Sequence, residues 1–196
     1  MSKRVEERTI EVIEELGALI TNGHYIYNSG KHGEVYVAKD LVMPSTIQLN
    51  DMCAELAGHY MVFDAAKRAE SEIAWVDTVI GPAPNGAVLA SRVAEVIHAT
   101  TGRPAFAVYA EKGKKLDGDG KPEFEVRPTF ERFLDETQTV VVVEDVINSG
   151  RTVKKIVELV QSYGAKVCSI AALWNRGGVT AEDLGVPDLF SLVNVR

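Results

Sequence analysis

Cysteine is scarce in this chain: two in 196 residues, Cys53 and Cys168. They stand far apart, each inside an apolar segment. That excludes a disulfide framework and a zinc-binding spacing, and leaves core packing as their expected role. No apolar run approaches the length of a membrane span. The opening Ser2-Lys3-Arg4-Val5-Glu6-Glu7-Arg8 is too charged for a signal peptide. No membrane association is expected, and the expected compartment is the cytoplasm. Positive charge is not in excess either: 21 Lys and Arg face 28 Asp and Glu, for a net charge of −7. This argues against nucleic acid as a partner. An anion site, if there is one, has to be built locally from backbone N–H groups and a few cations. The hydrophobic content of 46% is that of an ordinary globular protein and is enough for a large core in one long domain.

Strand-like and helix-like segments alternate along the chain. Val5, Ile10, Val12, Ile13, Leu16, Leu19 and Ile20 predict an amphipathic helix that stops near Asn22-Gly23. Tyr25–Tyr27 and Val35–Val37 read as short strands around a turn-rich joint. A helix is expected from Ser45 to Lys67, a strand from Val76 to Ile80, a helix from Ala87 to about His98 and a strand from Pro104 to Tyr109. The stretch from Glu111 to Pro122 is rich in glycine and charge and should be mobile. Lys166 to Trp174 is a further strand, and Leu189 to Val193 an edge strand. This alternation indicates an α/β fold, a doubly wound and mainly parallel sheet. No repeat or linker divides the chain. Residues 1–196 are expected to form a single domain, with 1–45 supplying a helix and hood strands over the carboxyl edge of the sheet.

The most informative segment runs from Thr139 to Thr152. Thr139 and four valines form a β-branched strand suited to burial on both faces. Two acids, Glu144 and Asp145, follow towards its carboxyl end, where open α/β sheets place their ligands. Then come Val146, Ile147 and the turn Asn148-Ser149-Gly150-Arg151-Thr152, leading into a helix with Val153, Ile156, Val157 and Val160 at helical spacing. Such a turn offers backbone N–H groups and a favourable dipole to a phosphate. Acids for sugar hydroxyls beside a phosphate cradle suggest a phosphorylated sugar. A second loop, Gly81-Pro82-Ala83-Pro84-Asn85-Gly86, has the glycine spacing of a nucleotide-binding P-loop, but Ala87-Val88 stand where Lys-Ser/Thr is needed. A nucleotide triphosphatase is thereby excluded, while the loop can still receive an anion.

The strand, the acid pair and the hydroxyl- and glycine-bearing turn resemble the phosphoribosyl pyrophosphate motif of the type I phosphoribosyltransferases. Gly23-His24-Tyr25-Ile26-Tyr27-Asn28-Ser29-Gly30-Lys31-His32 looks like the N-terminal signature of the orotate phosphoribosyltransferases within that family. The resemblance runs from the first helix through Gly178. It implies transfer of ribose 5-phosphate from phosphoribosyl pyrophosphate to a base, most like orotate, with Mg²⁺ as cofactor and a homodimer as the working form. By the same resemblance, Glu144, Asp145 and Val146 to Thr152 bind the donor's ribose and 5-phosphate, and Gly81, Pro82, Ala83, Asn85 and Gly86 its pyrophosphate. Lys112, Lys114 and Lys115, on a loop that closes over the site, meet the departing pyrophosphate. Lys31, Lys39, Asn148 and Arg176 bind the base, Arg176 pairing with the orotate carboxylate. No protein group is singled out as a metal ligand.

Several positions depart from the family pattern. Asn148 replaces a usual Thr or Ala, Arg151 stands where a small residue is usual, and Gly33 replaces a common serine. The loop pattern Arg-Lys-Glu-x-Lys-x-His-Gly is absent. Tyr109-Ala110-Glu111-Lys112 looks instead like the Ala-Glu-Arg variant of some bacterial members, without the loop's histidine. A transferase for a purine or for uracil, and a regulator that binds the donor without turnover, stay open at this level.

Overall fold

The first helix ends before its apolar pattern does. The structure is a computed structural model and describes residues 3–26, 30, 32–34, 36–68 and 75–194. Helix α1 spans Lys3–Glu15. Gly17 takes φ +62°, and the N–H groups of Gly17 and Ala18 turn back to the Glu14 and Ile13 carbonyls. A glycine in the left-handed region closes the helix. Leu19–Ile20 is therefore strand β1 rather than a last helical turn, which corrects the helix expected to reach Ile20. Strands β2 (Tyr25–Ile26), β3 (His32–Gly33) and β4 (Tyr36–Val37) follow. The pairings are β1 with β4 and β2 with β3, both antiparallel. A short helix α2 (Lys39–Val42) precedes the long α3 (Thr46–Arg68). The chain divides into two compact units, Met1–Met52 and Cys53–Arg196.

The second unit holds the large sheet. Its elements are β5 (Thr78–Pro82), α4 (Asn85–Thr101), β6 (Phe106–Leu116), β7 (Pro122–Glu125), a 3-10 turn at Pro128–Phe133, β8 (Thr139–Ile147), α5 (Arg151–Ser162), β9 (Lys166–Asn175), α6 (Ala181–Leu184) and β10 (Leu189–Asn194). The strand order is β10-β9-β8-β5-β6-β7. Every pairing is parallel except β6 with β7. The doubly wound, mainly parallel sheet is as expected, with β10 at one edge. Valines 140 to 143 are buried because β8 is flanked by strands on both sides and covered on both faces. On one face, Val153, Ile156, Val157 and Val160 of α5 join Val140, Val142 and Ile170 in a common core. Helix α4 buries Leu89, Ala90, Val93, Ala94 and Ile97, and right-handed crossovers put it on the opposite face.

The stretch read as loop is built as a hairpin. β6 continues to Leu116, turns at 117–121 and returns as β7, with Lys112 opposite Phe124. Most residues from Lys112 to Lys121 are exposed, so this ribbon lacks the alternation of apolar and polar residues that marks a half-buried strand. That is why the pattern read as loop.

The chain winds in opposite directions from β5 and β8. From β5, α4 leads outward to β6; from β8, α5 leads the other way to β9. β5 and β8 pair only from Thr78↔Val140 to Ile80↔Val142, although β8 continues to Ile147. The sheet therefore splits at the carboxyl ends of its two central strands. A crevice at such a switch point is where ligands of this architecture bind.

Candidate active site

The acid pair and the glycine loop stand on the two sides of this crevice. Glu144 and Asp145 are buried, with 6% and 3% exposure. Asn85 Nδ2, at the start of α4, donates to Asp145 Oδ2 at 2.6 Å. Val146 N–H donates to Asp145 Oδ1 at 2.6 Å, and Asp145 N–H to Glu144 Oε1 at 3.1 Å. The start of α4 and the end of β8, 60 residues apart in sequence, are thus joined by a hydrogen bond.

Gly81 and Gly86 are glycines because their backbones touch. A Cβ on Gly81 would lie 2.6 Å from the Gly86 carbonyl oxygen, and one on Gly86 would lie 2.6 Å from Pro82 Cδ. The Ala83–Pro84 peptide is cis. Ala83 donates its N–H to the Ala110 carbonyl, and the two prolines have none to offer. This narrows the expected anion contacts of the loop. Pro82 and Ala83 shape it, and the donors left for an anion are the first N–H groups of α4, at residues 85–87, which have no carbonyl within the helix to meet.

On the far side of β8, the turn at 148–152 packs against the turn that follows β9. Gly150 caps α5 with φ +73°, and Asn148 and Ser149 are exposed. Arg176 and Gly177 both donate N–H to the Ile147 carbonyl, at 2.9 and 3.1 Å. Arg176 Nε donates to Asn148 Oδ1 at 2.8 Å. The buried Asn175 side chain closes its own turn by donating to the Val179 carbonyl at 2.7 Å and accepting the Val179 N–H at 3.2 Å. Asn175 was not among the expected site residues; an Asn before Arg-Gly-Gly, able to bridge its own backbone, is the signal that could have found it. A cleft of about 500 Å³ runs along these turns, lined among others by Asn148, Ser149, Arg151, Lys154, Gly177 and Asp183.

A phosphoribosyl transferase domain model matches residues 57–193. The chain belongs to the phosphoribosyltransferase family. The orotate phosphoribosyltransferase of Thermotoga maritima is 31% identical over 177 residues, 90% of this chain and 80% of that protein. The corresponding protein of Caldanaerobacter subterraneus is 30% identical over 184 residues, 93% and 81% of the two chains. Among solved structures, orotate phosphoribosyltransferase from Aeropyrum pernix superposes with a TM-score of 0.63 at 23% identity, over 94% of this chain and 92% of that one. Adenine phosphoribosyltransferase from Thermoanaerobacter pseudethanolicus gives 0.61 at 21% identity, over 94% and 99%. The two structures bear names with different bases, so at these identities they establish the type I phosphoribosyltransferase fold and no more.

The remaining expected residues of this phosphoribosyltransferase fall as follows. Lys112, Lys114 and Lys115 are exposed on the β6–β7 hairpin, with Lys115 Nζ 2.9 Å from Glu123. Arg151 turns its side chain to that hairpin's tip: Nη2 donates to Asp117 and Asp119, each at 2.7 Å. Asp117 and Lys155, neither of them anticipated, complete that cluster. Thr152 is exposed in the first turn of α5. Lys39 opens α2 in the first unit, half-buried. Lys31 lies outside the described residues, as do Tyr27 and Val35 of the expected strands.

Proposed function

We infer that this pentosyltransferase moves ribose 5-phosphate from phosphoribosyl pyrophosphate to orotate, giving orotidine 5'-phosphate and pyrophosphate, a step of pyrimidine nucleotide biosynthesis. The observation that carries it is the meeting of Arg176 with Asn148: a guanidinium held beside the phosphate turn, at the end of the strand that bears Glu144 and Asp145. Residues 148–152 receive the 5-phosphate, chiefly through backbone N–H groups at the start of α5. Glu144 and Asp145 hold the ribose hydroxyls. As the bond from the anomeric carbon to pyrophosphate oxygen breaks and the bond to the base nitrogen forms, their charge stabilises the cation developing on the sugar. The start of α4 and the hairpin lysines receive the negative charge of the leaving group. Arg176, oriented through Nε, reads the orotate carboxylate with its planar fork. Lys39 and Lys31 complete the base side by resemblance. No side-chain nucleophile is required; positioning and electrostatics supply the rate.

Among the described residues no group of three or more His, Cys, Asp or Glu could cage a metal. Buried carboxylate oxygens at the strand end suit magnesium, a hard cation that needs few protein ligands when phosphates supply the rest. When bound through the donor's pyrophosphate it would offset charge on the leaving group. The homodimer rests on the family resemblance, and the cytoplasmic setting on the charged opening and the lack of a membrane-length apolar run in the sequence. Among the described residues no helix is long and apolar enough to cross a membrane.

The decisive experiment measures pyrophosphate release from the donor with Mg²⁺, each base supplied separately. Release with orotate alone is expected, and Arg176→Ala should raise the KM for orotate while donor affinity holds. Release with a purine or uracil would keep the mechanism and overturn the role of Arg176. Donor binding with no release for any base would make the protein a regulator.

A further inference from the structure

The arm that carries the lysines is anchored at both ends. β6 pairs with β5 only from Phe106 to Ala110. From Glu111 onward its partner is β7 alone, through Glu111↔Glu125, Lys112↔Phe124 and Leu116↔Pro122. A two-stranded ribbon is marginal by itself. At its tip Asp117 Oδ1 accepts the N–H groups of Asp119 and Lys121, both at 2.9 Å, which closes the turn. Asp117 Oδ2 accepts from Arg151 Nη2 at 2.7 Å and lies 2.6 Å from Lys155 Nζ. Lys155 also donates to the Pro122 carbonyl at 2.9 Å. Arg151 and Lys155 are four residues apart on α5, and so on one face of it. The lysine bond first, with the Lys121 N–H and Arg151 after it, holds the Asp117 carboxyl well below the usual carboxylate range.

These contacts differ from ordinary surface ion pairs, which contribute little. One carboxylate takes two cations and two backbone donors, and the Asp117 and Lys155 side chains are only 18% and 17% exposed. Asp119, by contrast, is 69% exposed and makes an outer pair. Two cations and two carboxylates cancel, so the cluster adds no net charge to the phosphate turn beside it. Its effect has to be geometric. It also gives a physical use to an arginine standing where the family has a small residue: the Arg151 backbone stays with the turn while its side chain reaches the arm.

We propose that Asp117 is a positioning residue that, through Arg151 and Lys155, pins the lysine arm to the helix beginning at the phosphate turn of the same chain. The position of the arm relative to that turn is then set by one link. The lysines lie between the two anchors, so loosening the tip frees the arm without removing any of them. The catalytic consequence rests on the transferase reading given above.

The test uses the full chain and the variants Asp117→Asn, Arg151→Gln, their double, and Asp119→Asn. The amide oxygen of Asp117→Asn still closes the turn while the charge is lost. Hydrogen exchange over residues 111–125 should quicken about tenfold in Asp117→Asn, as expected for loss of a hydrogen bond to a charged group, and by less in Arg151→Gln, which leaves Lys155 on Asp117. In the double it should rise no further than in Asp117→Asn, since Arg151 acts on the arm chiefly through Asp117. Asp119→Asn should change it less than about twofold. In steady state Asp117→Asn should lower kcat about tenfold, with the KM for orotate and the affinity for ribose 5-phosphate each within about twofold. Unchanged exchange in Asp117→Asn and Arg151→Gln overturns the proposal, as do effects that multiply in the double or an Asp119→Asn effect equal to that of Asp117→Asn. Exchange needs no turnover. Failure of the wild-type protein to use orotate would therefore count against the transferase reading alone.

Discussion

Gly177 has no side chain because the backbone at Asn148 occupies the space one would fill. A Cβ placed there would lie 1.4 Å from the Asn148 carbonyl oxygen and 2.6 Å from its carbon. Carbon and oxygen rest at roughly 3.3 Å or more, so Gly177→Ala forces one turn to retreat by about 2 Å. Neither yields freely. Arg176 and Gly177 are tied to the Ile147 carbonyl, and Arg176 Nε to Asn148. Overpacking costs about 1–3 kcal/mol, and a methyl driven into backbone rather than into a flexible side-chain end belongs near the top of that range. At about 2–4 °C per kcal/mol for a chain of this size, the melting temperature should fall by roughly 6–12 °C. A displacement of about 1 Å at the reacting groups costs on the order of 100-fold in rate, so kcat/KM for orotate should drop by about that factor. Gly178 is the control. It has φ +64° but nothing within 4 Å of a Cβ, so Gly178→Ala should cost only about 1–2 kcal/mol of backbone strain and leave the turns in place. Thermal unfolding and initial rates of pyrophosphate release measure both. A Gly177→Ala protein with kcat/KM within about threefold of wild type, or one no worse than Gly178→Ala, would refute the claim that this contact holds Asn148 and Arg176 in register.

Further outcomes follow from the same geometry. Asp145→Asn keeps the shape but removes the charge proposed to face the sugar, and kcat should fall on the order of 100-fold; initial rates with less than about a threefold loss would remove the electrostatic role. The Cys53 thiol is pushed up to about 12, chiefly by burial with Arg92 opposing. In the fold it stays neutral where the unfolded thiol ionises, so its contribution to stability is complete below about pH 8.5 and erodes as pH rises towards the folded value. A thiol reagent at pH 8 should label Cys53 only after denaturation, and stoichiometric labelling of the native protein would contradict its burial. Asp117 runs the other way. Its pKa is lowered, so its contribution is present above the ordinary carboxylate value of about 3.9 and is lost only as pH falls through the lower folded one. The amides of the arm, corrected for intrinsic exchange, should stay protected at pH 5 and open only in stronger acid; an arm already open at pH 5 would count against the anchor.

The strand of four valines, the acids after it, the apolar face of α5 and the glycine turn that presents Arg176 were all legible from residue order. Each depends on a period or a turn preference that operates within a few residues, and such rules hold before any tertiary contact forms. The same order placed the glycine loop at a strand end, but not the Ala83 N–H, which is spent on a neighbouring strand. Two local expectations failed where a competing local rule or a distant partner won. Gly17 ended α1 before its apolar spacing ran out. The lysine stretch folded into a ribbon because β7 and the start of α5 were there to hold it.

What belongs to the sequence alone, then, is the kind of chemistry: carboxylates, a hydroxyl- and glycine-bearing turn and a guanidinium on an alternating α/β pattern, because each is written in a contiguous stretch. What only the tertiary structure decided is which of these groups meet. Asn85 reaches Asp145 across 60 residues, Arg151 reaches Asp117 across 34, and Arg176 reaches Asn148 across 28. Those pairings arise from a strand order that reverses direction between β5 and β8, and strand order is settled by how whole helices and strands bury their apolar faces together, which no single segment encodes.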